Sequence, residues 1–127
     1  MLQACVTLSF SLRLFASLFD THRIYHSGAT SVITQGRNDS PQWVSSYKVA
    51  HSLDGSVWEY VRNDRNVALT YQANTDQNTR VENELPTALI TRYLRLYPIT
   101  YYDHPSMRVE VMGCLVTGQN YKLITHT

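Results

Sequence analysis

Beyond residue 20 this chain shows no long run of apolar residues at helical spacing. What recurs instead is a short run rich in Val, Ile, Thr, Tyr and Trp, stopped each time by a turn former or a proline. Residues 31–35 and 43–51 are the first such runs, and in the second Val44, Ser46 and Lys48 alternate with Ser45, Tyr47 and Val49. Asp54-Gly55 then marks a tight turn into residues 57–62, so the second and third runs are predicted to form a hairpin. After a connection at residues 63–66, strands are predicted at 66–71, at 80–85 closed by Pro86, and at 91–97 ended by Pro98. A last strand is predicted at 106–112, where Met107, Val109 and Val111 alternate with Arg108, Glu110 and Met112. Short strands at this spacing point to an antiparallel β-sandwich or barrel.

The chain has 127 residues, enough for one domain with a core and too few to expect two. Eleven basic residues against ten acidic ones give a net charge of +1, so there is no electrostatic case for nucleic acid or an anionic membrane. Cys5 and Cys114 lack Cys-x-x-Cys spacing, which gives little support to a thiol redox site or a structural zinc. A disulfide between them is one option. It would close a loop of about 110 residues, constrain the unfolded chain by roughly 4–5 kcal/mol, and require an oxidising compartment.

The opening stretch MLQACVTLSFSLRLFASLF is apolar but interrupted by Arg13, lacks a basic start and is followed by no clean small-x-small site. It is a substandard secretion signal, and too short and interrupted for a membrane span. His22, His26, His51, His104 and His126 show no metal-ligand spacing, and no metal or cofactor is expected. Asp54, Asp76 and Asp103 sit in turns, where local hydrogen bonding explains them without catalysis. Gly-x-Ser-x-Gly and glycine-rich phosphate loops are absent. A hydrolase using Asp103 and His104 is the enzymatic alternative, with no nucleophile or base singled out.

Five ordered blocks, VITQGR (32–37), WVSSYKVAHSLDGSVWEY (43–60), NTDQNTRVENEL (74–85), TRYLRLYPITYY (91–102) and MRVEVMGC (107–114), resemble the second half of the discoidin domain, also called the coagulation factor five/eight type C domain. The resemblance implies an all-β, galactose-binding-like antiparallel sandwich or jelly-roll barrel, truncated at its N-terminus. It also implies a non-catalytic extracellular or cell-surface recognition module in cell adhesion, secreted and lectin-like, that binds carbohydrate, glycoprotein or collagen-like ligand. Membrane lipid is a weaker candidate because the relevant loop is polar.

The resemblance covers about residues 31–114, leaving 1–30 unmatched and 115–127 as a tail. A complete domain of the family runs to roughly 150 residues, so the chain is expected to be marginally stable, with exposed sheet edges. Residues 1–20 are free to substitute as a strand or a helix. The alternative outcome is a truncated product without independent binding, or one that self-associates through an open edge. The family's last Cys pairs with its first; Cys114 matches the last, and Cys5 is a candidate substitute. Departures are Ala73 for a usual Gly, Thr87-Ala88-Leu89 for Pro-Pro-Ile, and Tyr101 for a frequent Trp.

The resemblance also identifies the loop at residues 36–42 as one of three that line a ligand pocket, with Arg37 matching an arginine used in collagen-binding relatives. A guanidinium can grip a carboxylate bidentately. Arg37, Asn38, Asp39, Ser40, Gln42 and Trp43 are therefore the candidate ligand-binding residues, weighed against a plain connecting loop and, for Trp43, a core role. Asn38-Asp39-Ser40 is a glycosylation sequon, disfavoured by Pro41. Trp58, Tyr47, Tyr93 and Tyr97 are expected to pack. Arg92, Arg95 and Arg108 are expected to pair across strands with Glu82, Glu84 and Glu110.

Overall fold

The computed structural model describes residues 4–13 and 20–115, with side chains for 30–87, 89 and 91–113. Seven strands follow in order: β1 (Ala4–Arg13), β2 (Asp20–Gln35), β3 (Trp43–Ser52), β4 (Glu59–Tyr60), β5 (Tyr71–Gln72), β6 (Val81–Tyr102) and β7 (Ser106–Leu115). They pair antiparallel in the order β1-β7-β2-β6-β3-β4, with β5 added on β3. The all-strand expectation holds.

Two strands are longer than their sequence patterns suggest. The strands predicted at 80–85 and 91–97 merge into one strand, β6, which begins at Val81 and runs through both Pro86 and Pro98. Proline removes a ladder donor and is tolerated in a strand at a bulge, and each proline sits at one. Ala29 pairs with Leu89 and Ser31 with Glu84, so Thr30 alone opposes β6 residues 85–88 around Pro86. Across the other neighbour, Ser46 pairs with Thr100 and Tyr47 with Pro98, a second register shift. The bulges let β6 bend while it serves β2 along one side and β3 along the other. Strand β2 likewise starts at Asp20 rather than residue 31, and β1 occupies part of the opening stretch as an edge strand on β7.

The bend folds the sheet over one apolar cluster. Val32 of β2, Val44, Tyr47 and Val49 of β3, Leu94 and Leu96 of β6, and Met107, Val109 and Val111 of β7 are all 0–1 % exposed. On β7 the alternation is as expected. On β3 it changes phase where the register shifts, so that Val44 and Ser46 are buried before the shift, and Tyr47 and Val49 after it. The hairpin through Asp54-Gly55 forms, with Ala50 opposite Tyr60. The Asp54 carboxylate accepts from the amides of Val57 and Ser56 and from the Ser52 hydroxyl, which hold its pKa below the usual range. Trp58 is half-buried under the Arg95 guanidinium, 3.8 Å from its ring centre, with Tyr93 at its edge.

One polar side chain is fully enclosed. Asn74, in the loop ahead of β6, is 0 % exposed. Its Oδ1 accepts from the Thr34 hydroxyl at 2.7 Å, its Nδ2 donates to the carbonyls of Thr34 (3.0 Å) and Thr79 (2.8 Å), and its amide donates to Val44. Asn74→Ala would strand several of these buried partners at once, each worth about 1–3 kcal/mol when left unsatisfied. We expect a loss of about 2–4 kcal/mol, read from the urea midpoint, with exposed Gln72→Ala nearly neutral.

His51 lies half-buried on β3, opposite Glu59. Burial lowers its pKa, and the charge of Glu59 works against that shift. The folded state therefore binds this proton less readily than the unfolded chain. The stabilisation is complete above the ordinary histidine pKa of about 6.5 and is lost as pH falls through the lower folded value. Urea midpoints between pH 7.5 and 5 should fall, and His51→Gln should flatten that fall.

Candidate functional site

One end of the sheet gathers three connections: the loop at residues 36–42 between β2 and β3, the loop at 73–80 before β6, and the turn at 103–105 between β6 and β7. Gly36 shows how tightly they meet. A Cβ placed there would lie 2.8 Å from the carbonyl oxygen of Asp76, 2.9 Å from that of Gln42 and 2.9 Å from the Trp43 Cβ, so only glycine fits. Arg108, expected in a cross-strand ion pair, instead reaches beneath these loops. It donates through Nε to the Gly36 carbonyl (2.7 Å) and through Nη2 to the carbonyl of Gln77 and Oδ1 of Asn78 (2.8 Å each). Glu110 of β7 pairs with Arg80, the residue just ahead of β6, at 2.7 Å.

Within the first loop, the Arg37 amide donates to the Gln42 carbonyl and the Gln42 amide to that of Ser40, which closes residues 37–42 into a compact turn. The Arg37 side chain is tied inside it. Its Nε donates to Asp39 Oδ1 at 2.5 Å and its Nη1 to Gln42 Oε1 at 3.0 Å. Gln42 carries the connection onward: Oε1 also accepts from the Ser106 hydroxyl (3.1 Å), and Nε2 donates to Asp103 (3.3 Å). The Ser106 proton is committed to Gln42, so Ser106 Oγ accepts from His104 Nδ1, 3.0 Å away. Ser106 is 3 % exposed, which makes this histidine–serine contact a turn lock rather than an accessible nucleophile. Asp103 has φ of 65°, the left-handed region that Asp tolerates.

The structure thus brings all six candidate residues to one end of the fold, with unequal roles. Asn38 is exposed at the loop tip, and its carbonyl accepts from Gln77 Nε2 at 3.3 Å. Ser40 contributes its carbonyl to the turn. Trp43 is half-buried and stacks on Tyr102 with ring centres 4.7 Å apart and planes at 13°, while Tyr102 keeps 56 % of its surface exposed. Tyr102, Gln77, Asp103, His104 and Arg108 were not singled out for this site, because only the folded loops make them neighbours.

In the second loop, the Thr79 hydroxyl, the Thr79 amide and then the Asn78 amide hold the Asp76 carboxyl below the usual range. Ala73 causes no strain there, since the positive-φ residues described are Asn66, Asp103 and Gly55. Cys5 and Cys114 pair directly in the β1–β7 register, though their side chains lie outside the described residues. Two cavities, of about 350 and 170 Å³, flank the β6 bulge at Leu85, Pro86 and Thr87, and neither is lined by the three loops.

The F5/8 type C domain model matches residues 28–111. Over 92 residues the chain is 38% identical to human EGF-like repeat and discoidin I-like domain-containing protein 3, covering 70% of this chain and 19% of that protein. Over 87 residues it is 37% identical to lactadherin of Mus musculus, covering 67% of this chain and 19% of that protein. The native structure of recombinant discoidin II from Dictyostelium discoideum superposes with a TM-score of 0.71 at 28% identity, covering 88% of this chain and 44% of that one. The chain spans less than half the length of each of these proteins.

Proposed function

The chain belongs to the F5/8 type C domain family, and from that premise we propose that it is a non-catalytic recognition module, extracellular or at the cell surface, that binds a carbohydrate, glycoprotein or collagen-like ligand through its strand-connecting loops. The observation that carries this reading is the mutual locking of three loops at one end of the sheet, with Arg108 beneath them and Gln42 between them. A rigid scaffold that presents polar loops is what recognition needs, because little ordering remains to be done when the ligand arrives. Arg37 and the Trp43–Tyr102 stack supply the charged and aromatic anchors typical of such surfaces.

The test is surface binding of the whole chain to immobilised collagen, to a panel of neutral glycans and to a panel of glycoproteins. At least one should bind, and Arg37→Ala and Tyr102→Ala should each weaken it about tenfold or more, the level of a binding hot spot. Failure to bind any of the three would sink the proposal.

An oxidising location would also allow a Cys5–Cys114 disulfide. Directly opposed residues of an antiparallel pair lie about 4.5–5.5 Å apart at Cα, inside the range such a bond needs. Peptide mapping without reduction should recover residues 5 and 114 in one cross-linked fragment. Two separately alkylated thiols would rule the bond out.

A further inference from the structure

The loop cluster carries a charge arrangement that sequence spacing does not reveal. Arg37, the natural anion receptor of this end, already holds a carboxylate from its own loop. Asp39 stands two residues away and accepts the Nε proton, while Gln42 takes one from Nη1. The other formal charges here are also engaged: Arg108 with Gly36, Gln77 and Asn78, Asp76 with Thr79, and Asp103 with Gln42.

We infer that Asp39 is a specificity-determining residue: by pairing with Arg37 inside the loop it neutralises that guanidinium, so that the loop takes an uncharged, hydroxyl-bearing ligand and turns simple anions away. This inference rests on the recognition role of the loop proposed above.

The reasoning is competitive. A free anion meets the negative charge of Asp39, and to take the Nε side of the fork it must displace a carboxylate tethered at high effective concentration. A ligand hydroxyl need displace nothing, since one hydroxyl can accept from a remaining Arg37 N–H and donate to Asp39. The pair is partly open to such an approach, with 32% of the Arg37 side chain and 56% of that of Asp39 exposed. The Tyr102 ring, next in sequence to Asp103, offers an apolar face to the carbon skeleton of such a ligand.

The experiment measures partition of the full chain onto phosphatidylserine/phosphatidylcholine vesicles and onto pure phosphatidylcholine vesicles. The variants are Asp39→Asn, which keeps a hydrogen-bond acceptor but loses the charge, Asp39→Ser as a second charge-free form, Arg37→Ala/Asp39→Asn, and Asp64→Asn as a charge-matched change in the turn at residues 63–66. Wild type and Asp64→Asn should not distinguish the two vesicles. Both single Asp39 variants should gain about fivefold on the anionic ones, the effect of one unmasked cation near such a surface. The gain should vanish in high salt and in the double variant.

Wild-type preference for the anionic vesicles, no gain in either Asp39 variant, or an equal gain in Asp64→Asn would overturn the inference. Collagen, glycan and glycoprotein binding by the wild type reads the module role separately, so the two can fail independently.

Discussion

The buried amide of Asn74 is the interaction on which the loop end depends. A neutral amide enclosed by protein is tolerable only when its donors and acceptor are all used, and the Asn74 side chain uses them on β2 through Thr34 and on its own loop through Thr79, while its backbone N–H donates to the Val44 carbonyl of β3. The loop at residues 73–80 is thereby fixed against the sheet core rather than left to solvent. Because that loop is fixed, Asp76 can press on Gly36, and Gln77 and Asn78 can offer acceptors to Arg108. Hydrogen bonds in such a network gain from one another in a low-dielectric setting, and the loss of one member is felt by all.

A second constraint acts along the strands. Strand β6 holds β2 along one side over its first part and β3 along the other over its last, with Tyr93–Leu96 opposite both. Register shifts against both partners make the necessary bends, and the prolines at 86 and 98 each fall at one of them. The bends turn Leu94, Leu96, Val49 and Val111 toward one another and bring the far ends of β2, β3, β6 and β7 to the same place. The position of the three connections at one end is a consequence of this curvature.

Much of this was legible in the sequence for a physical reason. Alternation with period two and turn chemistry are local, so the β3–β4 hairpin, the β7 pattern and the strand class could be read from neighbouring residues alone. The continuity of β6 could not, because a proline signals a strand end unless a bulge on a distant partner accommodates it. Asn74 reads as a turn former in isolation, and only the approach of Thr34, forty residues earlier, makes it a core residue. Arg108 alternates like an outward-facing cation on β7, and its true partners are backbone carbonyls of loops that the sequence does not place beside it. The candidate site was therefore half legible: the loop at 36–42 could be singled out as a candidate, but not what holds it.

The same distinction bears on how Arg37 should be regarded. From the sequence it is an arginine on a polar loop, open to grip a carboxylate with both arms of its fork. In the fold, Asp39 and Gln42 already occupy part of that fork. An exposed ion pair of this kind adds little to stability, about 0–1 kcal/mol, so stability alone gives it slight importance. Its effect on recognition is larger in kind, because it decides what a ligand must displace on arrival. A carboxylate partner has to break the pair, whereas a hydroxylated one can bridge it and keep both charges satisfied while water is excluded. Rigid loops sharpen the difference: with Gln42 held by Asp103 and Ser106, the loop has little freedom to swing Arg37 away from Asp39 and restore the open fork that the sequence suggests.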